Sequence, residues 1–505
     1  MNKTAIQMFI ATTVLAMVGI HGSQAQETGE AQHHHYKFID LGTFGGPASY
    51  FSNGFDGILN SQGTSVGWAD TSTPDPFPAF CFNPDCFVSH AFQSRSGVLR
   101  NLGTLPGGLS SQAVWISPNG LIAGNAQNGQ VDPLIPGFPE FRAVLWKDGQ
   151  TIDLGTLEGG YEALVSAVNS RGQVVGAATN TVSDPFGFFG IQTRAFLWEN
   201  GVMQDLGTLG GPDATGPLQI NEAGQVAGIS LTSDVANPTT GFPTQDPFFW
   251  ENGRMRDLGT LGGTVGFTTA LNNRSEVVGQ SNLAGDLTFH PFLWTKTGGM
   301  HDLGTLGGDT GITNWINDAG DIVGKADLPG PLSPQDHHPV LWKHGALIDL
   351  GVLPGDSSGN AYYANSRGQV VGTSEDRQHM LIGVGEHAFL WEDGGPMVDL
   401  NTLIPPGSSL TLTYAVAIND NGVVVGFGVP PGVPPEEYET KGHAYILIPC
   451  DEEHPGVEGC NYRMVDVNVA NASRPETRVE LTPGTNRGPL QRNNRFHFPA
   501  LVPKN

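Results

Sequence analysis

Short apolar runs alternate with polar, glycine-bearing turns along most of the chain, and the same order of runs returns many times. A clear unit reads Arg-Ala-Phe-Leu-Trp-Glu-Asn-Gly from Arg194, Asp-Leu-Gly-Thr-Leu-Gly-Gly from Asp205 and Ile-Asn-Glu-Ala-Gly-Gln-Val-Ala-Gly from Ile220. Its apolar runs are short and rich in aromatic and β-branched residues, which is typical of strands. No helical periodicity of useful length occurs. The pattern therefore predicts an all-β chain.

The turns predict how the strands of one unit connect. Trp198–Gly201 suits a type I turn followed by a glycine in the left-handed region, which closes a tight hairpin. The Asn-x-x-Gly turn at Asn221–Gly224 reads the same way, because asparagine bonds the turn backbone through its side chain. Each unit thus predicts four antiparallel strands. Four-stranded units of about 50 residues are typical of the blades of a β-propeller, which must stack because one blade cannot bury both faces.

Three sequence elements each occur eight times, which predicts eight blades. The Asp-Leu-Gly element begins at Asp40, Asn101, Asp153, Asp205, Asp257, Asp302, Asp349 and Asp399. The Asn-x-x-Gly element is assigned to Asn60, Asn119, Asn169, Asn221, Asn272, Asn317, Asn365 and Asn419. The Phe-Leu-Trp strand element begins at His90, Arg142, Arg194, Asp246, His290, His338, His387 and His443.

The two ends of the repeat region complement each other. Tyr36–Asp40 has no Phe-Leu-Trp strand before it, and His443–Leu447 has no Asp-Leu-Gly strand after it. We therefore expect these two segments to pair and to complete the eighth blade of a propeller spanning residues 36–449. Seven blades with one degenerate unit outside the ring are the first alternative. An open solenoid is the second alternative, although it would need capping ends.

The first residues predict export. Lys3 precedes a mostly apolar stretch, and Ser23-Gln24-Ala25 resembles a cleavage site, so residues 1–25 are predicted to be a signal peptide. Residues 26–35 are a polar leader, whose His33–His35 run we expect to be disordered linker. The predicted location is secreted, periplasmic or cell-surface. The mature chain contains no further apolar stretch long enough for a membrane span.

The four cysteines form two closely spaced pairs. In an exported protein they are disulfide candidates, and local pairing of Cys81 with Cys86 and of Cys450 with Cys460 is predicted. Zinc is the alternative, but these spacings fit no standard metal pattern, so no metal site is predicted. Residues 450–505 form a tail with a local disulfide and one possible strand, indicated by the alternation of Val465, Val467 and Val469.

Charge and missing motifs exclude several function classes. With 24 basic and 49 acidic residues the net charge is −25, which disfavours nucleic acid because phosphate binding needs a basic surface. There is no His-Glu-x-x-His. Gly-Thr-Leu-Gly-Gly lacks the lysine and the helix of a phosphate loop. No catalytic residue and no cofactor are predicted.

The repeated strings also carry a resemblance. His-Ala-Phe-Leu-Trp, Asp-Leu-Gly-Thr-Leu-Gly-Gly and Ile-Asn-x-x-Gly-x-Val-Val-Gly resemble the probable extracellular repeat family named for its His-Ala-Phe motif, over Tyr36 to about Pro449. The resemblance implies an exported bacterial repeat protein without an established activity. Many relatives end in a sorting segment, whereas residues 450–505 show no terminal apolar helix.

Long connections are predicted to gather on one face of the propeller, which usually marks the binding face. They cover residues 70–89, 127–140, 179–192, 231–245 and 428–441. Their aromatic residues are candidate ligand-binding residues for a glycan, a peptide or an apolar ligand: Phe77, Phe80, Phe82, Phe138, Phe186, Phe188, Phe189 and Phe242. The competing interpretation is that these rings fold inward and fix the loops.

A binding or interaction module, for an extracellular carbohydrate or protein, is therefore the predicted function. A polysaccharide-active hydrolase or lyase with an axial site is the second hypothesis, and a structural surface or matrix protein is the third. The histidines that open the Phe-Leu-Trp strands could ring an axial site, but Arg142, Arg194 and Asp246 interrupt the set. A hydrogen-bonding role beside the Asp-Leu-Gly strand is the favoured interpretation.

Overall fold

The computed structural model describes residues 32–466, apart from 53–56, 188–189, 239, 331–335 and 393. The predicted signal peptide lies outside the described residues. The chain folds into eight four-stranded antiparallel blades, which confirms the predicted β-propeller. A single parallel bridge, between Gln245 and Val265, additionally links the sheets of blades 4 and 5.

The strands follow one another in chain order from the inside of each blade to its outer edge. Two strands precede blade 1, namely β1 (Gln32–His34) and β2 (Tyr36–Asp40). Blade 1 comprises β3 (Gly45–Tyr50), β4 (Thr64–Pro74), β5 (Phe87–Arg95) and β6 (Val98–Asn101), and blade 2 comprises β7 (Ser111–Ile116), β8 (Ile122–Val131), β9 (Pro139–Lys147) and β10 (Gln150–Asp153). Blade 3 comprises β11 (Ala163–Val168), β12 (Val174–Ser183), β13 (Ile191–Glu199) and β14 (Val202–Asp205), and blade 4 comprises β15 (Ala214–Ile220), β16 (Val226–Ala236), β17 (Pro243–Glu251) and β18 (Arg254–Asp257).

Blades 5 to 8 repeat this order, and the tail adds one strand. Blade 5 comprises β19 (Gly262–Leu271), β20 (Val277–Leu283), β21 (Phe289–Thr295) and β22 (Gly299–Asp302), and blade 6 comprises β23 (Gly311–Ile316), β24 (Ile322–Asp327), β25 (His337–Lys343) and β26 (Ala346–Asp349). Blade 7 comprises β27 (Ser358–Ala364), β28 (Val370–Glu375), β29 (His387–Trp391) and β30 (Val398–Asp399). Blade 8 comprises β31 (Thr411–Ile418), β32 (Val424–Val429), β33 (His443–Pro449) and β2, and β34 (Met464–Asp466) lies in the tail. Helix α1 (Arg377–Ile382) lies in blade 7 and α2 (Tyr438–Lys441) in blade 8, with short 3-10 turns at Leu400–Thr402 and Pro435–Glu437.

The ring closes as the sequence predicts. Strand β2 pairs antiparallel with β33, with Tyr36 opposite Pro449 and Asp40 opposite Tyr445. Blade 8 also packs on blade 1, where Ser49 N donates to Gly442 O at 3.0 Å. Eight complete blades replace the seven-bladed alternative, and the joined ends replace the open solenoid.

Packing inside the blades explains the Val-Val-Gly and Phe-Leu-Trp motifs together. The aromatic ring of the third strand lies over the glycine of the second strand. A Cβ added at Gly176 would lie 2.8 Å from the Phe196 ring, and one at Gly372 would lie 2.7 Å from the Phe389 ring. Both phenylalanines are fully buried. The backbone of the first strand is closer still, with Leu164 O at 1.9 Å and Asn360 O at 2.0 Å from the same positions, so both contacts require glycine.

The hairpin joining the third and fourth strands differs from the predicted turn. Asn200 and Gly201 have φ values of 52° and 86°, and Glu199 lies directly opposite Val202. Two central residues with positive φ are the mark of a two-residue type I′ turn, whose twist matches that of the strands. The predicted type I turn was wrong here. The Asn221–Gly224 turn follows the prediction, since Gly224 has a φ of 77° and its N–H donates to Asn221 O.

Asparagines of the Asn-x-x-Gly turns form a belt that joins neighbouring blades. Asn221 Nδ2 donates to Asn272 O at 3.1 Å, and Asn419 Nδ2 donates to Asn60 O at 3.0 Å across the junction of the chain's ends. In blade 2 the turn residue is Ser117, not Asn119 as the sequence assignment had it. Gly120 N donates to Ser117 O, as Gly224 N donates to Asn221 O in blade 4. The assignment to Asn119 was out of register by two residues.

The leader and the tail are partly ordered against each other. Strand β1 pairs with β34, and buried His33 places Nδ1 2.7 Å from Glu392 Oε2. The described part of the His33–His35 run is thus folded, which corrects the disordered-linker expectation. The two predicted disulfides, Cys81–Cys86 and Cys450–Cys460, are present. Val467 and Val469 of the predicted tail strand lie outside the described residues. Among the described helices, none has the length and apolar content needed to cross a membrane.

Candidate functional site

The two faces of the propeller differ in character. One face, here called the turn face, carries the tight turns between first and second and between third and fourth strands. The other, the loop face, carries the connections between second and third strands and the Gly-Thr-Leu-Gly-Gly connections between blades. The long loops predicted from the sequence lie on this second face, because connections alternate between the ends of an antiparallel sheet.

Three loops on the loop face are built around one aspartate each. Asp75 Oδ1 accepts from Phe77 N at 2.8 Å, Asp132 Oδ1 from Leu134 N at 2.6 Å and Asp184 Oδ1 from Phe186 N at 3.0 Å. The repeated Asp-Pro pairs are therefore turns in which the aspartate bonds the backbone two residues on. Asp246-Pro247-Phe248 differs, since it lies within strand β17.

The structure brings three of the predicted aromatic residues together across blades 1 and 2. The Phe80 and Phe138 ring centroids lie 5.3 Å apart, and Phe82 stacks on Phe141 at 4.9 Å. Phe138 is buried. These four rings join two neighbouring loops, and Phe141 was not among the predicted residues.

The other predicted aromatic residues lie apart from this cluster. Phe77 and Phe186 are half-buried, and Phe242 is 64% exposed. Phe188 and Phe189 lie outside the described residues. Ligand binding by this set of phenylalanines stays a prediction.

Exposed apolar side chains are concentrated on the loop face. Nine of the thirteen large apolar side chains that are exposed among the described residues lie on this face. They are Leu109, Val131, Leu134, Val182, Val235, Phe242, Leu287, Leu381 and Ile382. They lie in the loops of blades 2 to 5 and 7 and in the connection between blades 1 and 2.

Buried carboxyl groups fix several loops to the blades. Asp70 Oδ1 accepts from Asn83 Nδ2 and Oδ2 accepts from Ala48 N, each at 3.0 Å. Burial, with the hydrogen bond and the charge of Asp85, raises the pKa of Asp70 to about 9. Because Asn83 and Ala48 already donate to the two oxygens of Asp70, this side chain serves as a structural contact.

Blade 3 contains a simpler buried acid. Burial raises the pKa of Glu162 to about 9, although Phe141 N donates to its Oε2 at 2.7 Å. The negative charges of Asp132 and Glu140 add to this rise. Glu162 therefore stays protonated in the folded protein near neutral pH and links the loop of blade 2 to blade 3.

A cluster of ionisable side chains lies on the loop face between blades 6 and 7. Its centre is Glu386, which directly precedes strand β29. Glu386 Oε2 lies 3.2 Å from His379 Nδ1, and Glu386 Oε1 lies 3.8 Å from His387 Nε2. An aspartate stands beside each histidine: His379 Nδ1 is 2.9 Å from Asp376 Oδ1, and His387 Nδ1 is 3.3 Å from Asp356 Oδ2.

Helix α1 positions one half of this cluster. Asp376 is its N-cap and accepts from His379 N at 2.8 Å, while Gly383 ends the helix with a φ of 68°. The helix turns His379 back toward Glu386. Because the helix is only six residues long, its place depends on these caps and on the buried side chains His379 and Met380.

A second layer of charged groups lies behind the cluster. Lys325 Nζ is 3.2 Å from His337 Nε2, and His337 Nε2 is 3.7 Å from Glu375 Oε1. Burial raises the pKa of Glu375 to about 8, and burial lowers the pKa of Lys325. The hydrogen bond to Glu386 is the main cause that raises the pKa of His379 to about 9. The cluster therefore combines four carboxyl groups, three imidazoles and one ammonium group.

Histidines at the same repeat position elsewhere have the structural role that the sequence favoured. His290 Nδ1 lies 2.8 Å from Asp302, and His338 Nδ1 lies 2.8 Å from Asp349, so each joins the third strand to the Asp-Leu-Gly strand of its own blade. Both aspartate side chains are about 40% exposed, with 43% for Asp302 and 40% for Asp349. His387 is instead almost fully enclosed and faces Glu386 and Asp356.

Sequence reasoning did not single out this cluster. Its residues come from two blades, one connection and a helix, and none forms a linear motif. The signals that were present are the Asp-x-x-His and glycine caps of helix α1 and the adjacent Glu386-His387 pair. These signals show that blade 7 differs from the other seven repeats. They do not show which side chains meet there.

Comparison with known proteins finds only distant structural similarity. No family model matches the chain, and no curated protein matches it in sequence. The β-propeller domain of the Trilobed protease from Pyrococcus furiosus is 8% identical, with a TM-score of 0.39, over 70% of this chain and 97% of that domain. Dipeptidyl peptidase 4 from Porphyromonas gingivalis is 11% identical, with a TM-score of 0.42, over 75% of this chain and 57% of that one. TolB from Acinetobacter baumannii is 11% identical, with a TM-score of 0.31, over 74% and 94%.

Proposed function

We propose that the chain is an exported member of the His-Ala-Phe repeat class that binds an extracellular protein partner through its loop face. The observation that supports this proposal is the concentration of exposed apolar side chains on that face. These side chains lie in loops where the repeat pattern is interrupted. Most of these side chains are aliphatic. Aliphatic side chains suit the apolar centre of a protein interface.

A glycan is the second candidate ligand, because aromatic side chains are also present. Phe242 is 64% exposed at the tip of the blade 4 loop, and Phe77 and Phe186 keep part of their rings accessible. Aromatic rings offer an apolar face to ligands with an apolar side. This candidate requires Phe242, whereas the protein candidate depends on the wider aliphatic set.

A pair of matched positions tests the choice of face. Phe242 lies on the loop face and is 64% exposed, and Val202 lies on the turn face and is 66% exposed. A photo-crosslinking amino acid at each position, in the producing culture, should give discrete protein adducts from position 242. Equal adduct patterns at both positions, or adducts at 202 only, would contradict the proposed face.

The glycan candidate has its own experiment. A thermal-shift series with extracellular polysaccharides should show a saturable rise in melting temperature, because a ligand that binds only the folded state stabilises it. Phe242→Ala should remove that rise while the melting temperature without ligand stays unchanged. A rise that survives Phe242→Ala would place the glycan elsewhere, and the absence of any rise leaves the protein partner as the supported proposal.

Export is tested independently of binding. Fractionation of producing cells should find the chain outside the cytoplasm, with an N-terminus at Gln26. A chain that stays in the cytoplasm with residues 1–25 attached would contradict this part of the proposal.

A further inference from the structure

Two sets of metal-ligating side chains share one carboxylate on the loop face between blades 6 and 7. The first set is Asp356, Glu386 and His387, and the second is Asp376, His379 and Glu386. Within each set the ligand atoms all lie within 4.8 Å of one another. Each set thus supplies one imidazole, one aspartate and one oxygen of Glu386.

The two oxygens of Glu386 face different histidines. Oε2 lies 3.2 Å from His379 Nδ1, and Oε1 lies 3.8 Å from His387 Nε2. The two sets share only Glu386. An ion that binds its ligands at ordinary bond lengths of about 2.0–2.2 Å can therefore be bound by one set but not by both. A carboxylate with one oxygen directed to each set has the arrangement of a bridging ligand. Paired ions bridged in this way lie about 3.5–4 Å apart in proteins.

A separate observation points to bound positive charge. Glu375 is only 6% exposed, and within the described part of the chain its Oε2 has no hydrogen-bond partner. Burying a carboxylate without a partner is costly. Glu375 interacts electrostatically with Asp356, Glu386 and His379, so it faces the same cluster. Lys325 and His379, whose pKa is raised, supply positive charge beside the four carboxyl groups.

We propose that this cluster binds a pair of divalent transition-metal ions bridged by the Glu386 carboxylate. Mixed imidazole and carboxylate ligands suit ions such as Zn²⁺ and Mn²⁺ better than Ca²⁺, which takes six to eight oxygen ligands. Glu375 and Lys325 lie outside the two ligand sets and set the charge around them. The site is independent of the partner proposed for the loop face.

Metal content of the purified mature chain tests the proposal. After chelator treatment, reloading with Zn²⁺ and gel filtration, the wild-type protein should retain two zinc ions per chain. Glu386→Gln should retain none, because both sets lose their shared ligand. Asp356→Asn and Asp376→Asn should each retain one. No retained zinc in the folded wild type would overturn the proposal, and one ion that is lost in both aspartate variants would overturn the bridged pair.

Matched controls separate this site from other imidazoles. His338→Ala removes a histidine at the same repeat position in blade 6, and His34→Ala with His35→Ala removes accessible imidazoles of the leader. Both controls should retain two ions, and a loss in either would contradict the assignment. X-ray absorption of the zinc-loaded wild type needs no variant. It should show a zinc neighbour at about 3.5–4 Å, and a spectrum without that neighbour would overturn the pair.

Discussion

The turn face and the loop face are made by the same repeats, yet they differ in how closely the repeats are followed. On the turn face the asparagine belt links blades 3 to 8 in the same way and continues from blade 8 to blade 1 across the junction of the chain's ends. On the loop face each blade differs: blades 1 and 2 share an aromatic cluster, and blade 7 adds a helix and two histidines facing one glutamate. The regular turn face joins neighbouring blades, and the irregular loop face carries the aromatic and ionisable clusters.

The largest effect is expected from breaking the belt. Asn221 Oδ1 accepts from Ala223 N and Gln225 N, and Nδ2 donates to Asn272 O. Asn221→Ala leaves the buried Gln225 N without its acceptor and removes the bond between blades at Asn272 O, so it should lower the free energy of unfolding by about 2–4 kcal/mol. Urea denaturation measures this.

Asn119→Ala is the matched control for the belt. Asn119 is exposed, donates to Ser170 O and accepts from Ser117 Oγ, which also has Leu121 O as a partner, so the loss should stay below about 1 kcal/mol. Equal losses at Asn221 and Asn119 would mean that the belt does not carry the stability of the turn face.

A pH-dependent effect of intermediate size is expected from the loop face. Glu162 holds its proton in the folded state up to about pH 9, whereas the unfolded chain releases it near the usual value of 4.5. The folded state therefore binds more protons between these values, so this contribution to stability is full below about pH 4.5 and declines as the pH rises toward 9.

Glu162→Gln mimics the protonated acid and should lose less stability than the wild type between pH 6 and pH 9. Melting temperatures at the two pH values measure the difference, and the exposed residue Glu158, changed to Gln, is the control. A Glu162→Gln variant that follows the wild-type pH profile would show that this buried acid does not fix the loop.

The smallest effect is expected from the regular histidine–aspartate pairs. His290 and Asp302 are partly exposed, and exposed ion pairs contribute less than about 1 kcal/mol. His290→Ala should therefore change stability by less than this. A double-mutant cycle with Asp302→Asn, which keeps an acceptor for Gly304 N, measures the coupling. A coupling as large as the belt effect would reverse the ranking of the two contacts.

Local rules made most of the fold predictable. Repeated turns and strand patterns gave the blades, and the two unmatched end strands gave the closure. The errors were local as well. Ser117 replaces asparagine at one turn and shifted the assignment to Asn119, and the Asn200–Gly201 turn needed the strand register before its type could be known.

The blade 6–7 cluster could not be predicted in the same way. Asp356, His379 and His387 come from a connection, a helix and a strand, and only the folded arrangement of blade 7 brings them to Glu386. The aromatic loops are an intermediate case. Their face followed from the alternation of connections, but the Phe80–Phe138 and Phe82–Phe141 contacts depend on how two loops meet in space.

The pairing of β2 with β33 has a consequence for the order of assembly. Asp40 and His443 are 403 positions apart in sequence, yet their side chains are hydrogen-bonded at 2.9 Å. Blades 1 to 7 can form from hairpins as each is synthesised, because their strands are neighbours along the chain. Strand β2 must wait with an unpaired edge until His443–Pro449 arrives, and long-range pairing of this kind is slow and prone to association between chains. The pairing of β2 with β33 therefore determines when the newly made chain is no longer prone to associate with other chains.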